Sequence, residues 1–120
     1  MKFFIPALIL SCLLALSCRH KPVIQPDINN ACDTTNVSYR KSVQPILNRN
    51  CGSCHSSGDP AHGIILDNYK SVRIFAAEGS LYGAITRNGE YAPMPYDAPK
   101  LDVCSIATIH HRIMEGMKDN

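Results

Sequence analysis

The chain has 120 residues, 18% of them charged, with 12 Lys and Arg against 10 Asp and Glu. That length allows one domain, and the near balance of charge, with no basic cluster interleaved with aromatics, argues against nucleic-acid binding. Six cysteines and no tryptophan in so short a chain direct attention to thiol, metal or cofactor chemistry.

Met1-Lys2 supplies one positive charge, Phe3 to Leu16 is almost unbroken apolar sequence, and a polar Arg19-His20-Lys21 follows. A charged start, a short apolar stretch and a small residue at the boundary describe a secretory signal peptide over 1–17. The stretch falls short of the roughly 20 apolar residues that a membrane-spanning helix needs. Leu14-Ala15-Leu16-Ser17-Cys18 resembles a bacterial lipobox, which predicts a lipid on Cys18, although Leu16 is larger than the residue usual there. Cutting before Cys12 instead would leave Leu13-Leu14-Ala15-Leu16 exposed.

Residues 18–36 read as a lipidated N-terminus and linker, with Pro22, Pro26, Asp27, Asn29 and Asn30 and no hydrophobic period. Extended at about 3.5 Å per residue, Arg19 to Ala31 would reach roughly 45 Å, enough to hold a domain off a membrane. The expected location is the periplasmic side, with a membrane anchor through lipid.

Residues 37–120 form the predicted domain. Ser38 is a candidate N-cap for a helix carrying Val43, Ile46 and Leu47 on one face. Pro45 makes that helix start near Gln44 or bend there. Residues 56–63 are turn chemistry, and Gly63-Ile64-Ile65-Leu66 is an apolar run too short to assign. A helix is predicted from Asn68 to Ala77, ended by Gly79, then another capped by Ser80 and running to Arg87. Asn88 to Lys100 holds Gly89, Pro93, Pro95 and Pro99 and reads as an extended loop. The strongest helical signal is Leu101 to Met117, capped by Asp102, with Val103, Ile106, Ala107, Ile113, Met114 and Met117 lining one face and Gly116 marking the end. No strand pair and no repeat is visible, so the fold class is all-α, with a few short helices and long loops.

Cys51-Gly52-Ser53-Cys54-His55 carries the chemistry. Two thiols and an imidazole at this spacing suit a zinc ion, thiol–disulfide exchange or a covalent haem. Zinc needs two more ligands; His62 and His110 are available, but neither a second Cys pair nor H-x-x-x-H follows. Exchange wants a βαβ setting, whereas these surroundings are helical. Haem attachment takes Cys51 and Cys54 as thioethers and His55 as the proximal ligand, in the exported compartment where such ligation occurs.

A second axial ligand is expected, and Met94 is the candidate. It lies in Tyr91-Ala92-Pro93-Met94-Pro95, 39 residues after His55, where two prolines stiffen the backbone. Met114 and Met117 sit at helical spacing and read as packing, and His62, His110 and His111 are the rival ligands.

SVQPILNRNCGSCHSSG, the GIIL run, SLYGAITRNGEYAPMP and the final LDVCSIATIHHRIMEGMKDN together resemble small monohaem cytochrome c domains of exported bacterial lipoproteins, over roughly residues 37–117. The resemblance implies a class I-like cytochrome c fold: helices wrapped around one covalent haem c, with Cys51, Cys54, His55 and Met94 as its attachments and iron ligands. With Cys12 in the leader, Cys18 on the lipid and Cys51 and Cys54 on the haem, Cys32 and Cys104 remain and are expected to pair in an oxidising compartment.

Two filled axial positions leave no open site, so the expected role is single-electron transfer between redox proteins, with no catalysis and no small-molecule substrate. A Met sulfur favours reduced iron, and burial by Ile46, Leu47, Ile64, Ile65, Leu66, Tyr69, Leu81, Ile85 and Ile106 pushes the same way. The alternatives are a five-coordinate haem sensor or gas-binding protein, and a fixed electron-transfer subunit of a larger oxidoreductase.

Overall fold

The structure, a computed structural model, describes residues 32–120. The predicted signal peptide, Cys18 and most of the linker lie outside the described residues. The described part is helical with no strand, and none of its helices is long and apolar enough to cross a membrane.

Ser38 caps the first element as expected, its hydroxyl accepting from the Lys41 N–H. The turn that follows, Tyr39–Val43, is π-helical and runs straight into helix α1, Gln44–Asn50, with Pro45 in its first turn. A proline ring meets the carbonyl four residues back in a regular helix. Here the ladder widens instead, and the Gln44 N–H reaches back five residues to the Tyr39 carbonyl. The regular α-helix thus starts at Gln44, the first of the two expectations for Pro45, and the widened turn leads straight into it.

Asn68 caps α2, Tyr69–Ala77, by accepting from the Ser71 N–H at 3.0 Å. Val72 and Ala76 face inward, and Gly79, at φ 81°, turns the chain into α3, Ser80–Thr86. Ser80 is not the cap: it is the first helical residue, and its hydroxyl donates to the Phe75 carbonyl. Leu81 and Ile85 are buried, as their spacing predicted.

The last helix, α4, is shorter than predicted, spanning Val103–Met114, with Asp102 capping it through the Ser105 N–H. Its buried face matches the expected one in part: Ile106 and Ile113 pack on the core, and Met117 beyond the helix is buried. Val103 and Met114 are exposed, at 45% and 74%, whereas Ile109 and Arg112 are buried. Arg112 wins a core position because it is fully engaged. Its guanidinium donates to the main-chain oxygens of Lys118 and Val37, to the Asn120 side chain at 2.7 Å and to Glu115 at 2.9 Å. Past Gly116 the chain reverses, Met117 is buried, and its carbonyl accepts from the Tyr69 hydroxyl at 2.6 Å.

These contacts close the domain end to end. The Asn120 main-chain oxygen accepts from the Ser38 hydroxyl and the Arg40 N–H, and Arg40 pairs with Asp119 at 2.9 Å. The apolar cluster of Tyr39, Val43, Leu47, Cys51, Leu66, Val72, Leu81, Ile85 and Ile109 lies within this closure. A second tie is a disulfide between Cys32 and Cys104, whose Cα atoms are 5.2 Å apart and 72 residues separated in sequence. In the chain-entropy description a loop of that size stabilises by about 4 kcal/mol.

Two measurements test this closure. Arg112→Ala strips partners from the carbonyls of Val37 and Lys118 and should lower unfolding free energy by about 3 kcal/mol in a denaturant titration. The Tyr39 hydroxyl is buried without a hydrogen-bond partner, and burial, with a smaller push from Asp119, raises it from 10.0 to about 12. The unfolded chain then releases that proton first, so this contribution is complete below pH 10 and is lost between about pH 10 and pH 12. Stability should fall there by up to about 1.4 kcal/mol per pH unit on this ground, and Tyr39→Phe should flatten that part of the profile.

Candidate functional site

Helix α1 delivers the chain directly into the Cys51–His55 turn. The N–H groups of Cys51 and Gly52 both donate to the Leu47 carbonyl, at 2.8 and 3.1 Å. Those of Cys54 and His55 both donate to the Cys51 carbonyl, at 3.1 and 2.9 Å. The turn leaves no space for a side chain at Gly52, where a Cβ would stand 2.7 Å from the Asn48 carbonyl oxygen. It sends the three reactive side chains into different settings: Cys51 and His55 are buried and Cys54 is exposed.

Residues 56–66 fold back over this turn and hold it by the main chain. The Cys54 carbonyl accepts from the Ala61 N–H and the His55 carbonyl from the Leu66 N–H, both at 2.7 Å. The reversal passes through left-handed backbone at His62 and Gly63, φ 56° and 71°. Asp67 fixes its base, accepting from the Ser57 N–H at 2.6 Å, a bond that also holds the Asp67 carboxyl below its usual range.

The returning segment brings the Ile64 carbonyl oxygen to 3.1 Å from His55 Nδ1. A carbonyl can only accept, so Nδ1 carries the proton. Nε2 is then the ring nitrogen left to ligate, the arrangement that orients a metal-binding imidazole. The short apolar run that sequence left unassigned is thus the element that sets the histidine.

The two thiols sit in different settings, Cys54 exposed and Cys51 buried. Burial, and secondarily the proximity of Cys54, pushes the Cys51 thiol from 9.0 up to about 11. Thiol exchange runs through an accessible thiolate, which Cys51 does not offer at neutral pH. Among the described residues no three His, Cys, Asp or Glu side chains converge as a metal-ion site, so Cys51, Cys54 and His55 do not gather as zinc ligands.

Met94 is half-buried, and its N–H donates to the Ala84 carbonyl of α3 at 3.0 Å. The next residue of that helix, Ile85, belongs to the same apolar cluster as Leu47, Cys51 and Leu66. Of the rival histidines, His62 is exposed and His110 stacks on Tyr82 with ring centroids 4.5 Å apart, while His111 Nδ1, 3.6 Å from Glu115, is buried without a hydrogen-bond partner. Cys32 and Cys104 are joined to each other, as expected, and Cys18 lies outside the described residues.

Gly52→Ala should shift the turn or strain it, lowering the denaturant midpoint by an amount equivalent to about 1–3 kcal/mol, whereas Ser53→Ala, at an exposed position, should leave it unchanged.

No protein-family model matches this chain, and no curated protein or solved structure is significantly similar to it.

Proposed function

We propose that this chain is an exported c-type cytochrome that carries single electrons between redox proteins. Cys51 and Cys54 would anchor one haem through thioether bonds, with His55 and Met94 as the axial ligands. The observation that carries this reading is the His55 ring, buried and held by Nδ1 on the Ile64 carbonyl with Nε2 left to ligate.

The residues present fit such a group. A C-x-x-C-H turn with Cys51 and His55 buried, Cys54 exposed and Nε2 free carries the donor set that covalent haem requires. Ile46, Ile64, Phe75, Ile106 and Ile113 pack on the core while remaining partly exposed, apolar surface suited to a flat apolar macrocycle. When bound, a haem supplies an iron that alternates between Fe(III) and Fe(II). The protein's part is to hold His55 and Met94, keep water from the metal with its apolar side chains, and stay rigid through the change of charge. All-α packing with long loops is compatible with a class I-like cytochrome c fold.

The leader and Cys18 extend the proposal to a lipid-anchored protein on the periplasmic side. Its linker would enter the domain at Cys32 and be fastened there to the first turn of α4. Partners would be a donor and an acceptor meeting the domain through small, brief interfaces.

The test is a visible spectrum of protein matured in a strain that attaches haem. The expected result is haem that stays bound after denaturation, low-spin in both oxidation states, with a weak red Met–iron band that disappears in Met94→Ala. A high-spin spectrum with ready carbon monoxide binding would turn the reading toward a five-coordinate sensor. Absence of covalent haem would remove it altogether. Stable co-purification with an oxidoreductase would make the protein a fixed subunit in place of a shuttle.

A further inference from the structure

The loop carrying Met94 is fastened to one helix at three points. Tyr91 lies against the bare Cα of Gly83, where an added Cβ would fall 2.3 Å from the ring. Three residues on, the Met94 N–H donates to the Ala84 carbonyl. At the end of α3, Arg87 terminates the helix in left-handed backbone, φ 59° and ψ 47°. From there its guanidinium Nη2 donates to the carbonyls of Pro95 at 3.2 Å and Ala98 at 2.6 Å.

The third point is unlike the first two. Left-handed backbone disfavours every residue but glycine, with Asn and Asp the usual exceptions. An arginine there, on an exposed surface with no carboxylate partner among the described residues, is explained by what its side chain reaches. Prolines at 93, 95 and 99 have no N–H, so this loop can contribute few main-chain donors to its own fastening. Arg87 supplies the donors from outside, on the carbonyl immediately after Met94 and on another three residues later.

We propose that Arg87 is a positioning residue for the Met94 side chain: it clamps both sides of the turn beyond Met94 and so holds the thioether in its bound orientation. This rests on the reading of Met94 as an axial ligand. Arg87 touches neither metal nor ligand sulfur in this scheme. It acts by keeping the loop from opening, which in a ligated protein governs how often the sixth position is free to an outside ligand.

The experiment compares haem-loaded wild-type protein with Arg87→Gly and Arg87→Lys. Glycine suits the left-handed backbone better than arginine does, so Arg87→Gly adds no backbone strain, and Arg87→Lys, with the backbone freedom of arginine, separates the lost guanidinium from the added freedom of glycine. Two quantities are read: hydrogen exchange at the Met94 amide, and the affinity of added imidazole for the iron. Arg87→Gly should speed the first and raise the second by about tenfold each, the scale of losing charge-assisted hydrogen bonds at a partly solvated site. Arg87→Lys, which keeps one charged donor head, should recover part of both. The Leu66 amide, bonded to the His55 carbonyl, is the internal control and should not change.

If Met94 and Leu66 exchange accelerate together, Arg87 supports the fold in general and the positioning role is wrong. Unchanged Met94 exchange and imidazole affinity in Arg87→Gly would also overturn it. Should the chain carry no covalent haem, the proposed function fails, while amide exchange still reads whether Arg87 holds the loop.

Discussion

A single hydrogen bond, from His55 Nδ1 to the Ile64 carbonyl, constrains most of what lies between residues 44 and 68. An imidazole at the end of a helix is free to rotate and to carry its proton on either nitrogen. Bringing a carbonyl to 3.1 Å removes both freedoms, and it obliges the chain after the motif to double back within nine residues. That return needs left-handed backbone at His62 and Gly63, the Asp67 carboxylate to anchor its base, and main-chain bonds from Ala61 and Leu66 onto the motif itself. A conspicuous cysteine–histidine sequence is therefore only half of the arrangement. The other half is an apolar stretch with no chemical signature of its own.

A domain of this size buries few large side chains, so it depends on closure as much as on area. Arg112 provides that closure by turning a charged side chain into a hub for main-chain oxygens near both ends of the domain. Burying a guanidinium is costly unless its donors are used, and here Glu115, Asn120, Val37 and Lys118 use them. The Cys32–Cys104 disulfide acts on the same problem by limiting the unfolded chain. For a proposed electron carrier this rigidity is functional, since a site that relaxes little on changing charge exchanges electrons with less rearrangement.

The segment that carries Met94 is held from α3. Gly83, Ala84 and Arg87 hold the 91–98 segment through three different interactions: a close ring contact, a main-chain bond and a charged donor. Prolines stiffen that segment but also strip it of donors, and the helix makes up the deficit. Stiffness within a loop and attachment of the loop are separate requirements, and the prolines supply only the first.

Local rules of the sequence determined the caps at Ser38 and Asp102, the existence of α2 and α3, the absence of strands among the described residues, and the adjacency of Cys51, Cys54 and His55. Each of these rests on contacts three or four residues apart, which spacing alone specifies. Arg112 on the buried face of α4 escaped such reading because hydropathy puts arginine outside, and its burial depends on oxygens supplied by Val37, 75 residues earlier, and by the reversed tail. The partner of His55, the widened turn that accommodates Pro45 and the grip of Arg87 on the Met94 loop belong to the same class. In each, the deciding group is a main-chain oxygen, which every residue carries and which only the folded path of the chain brings to its donor.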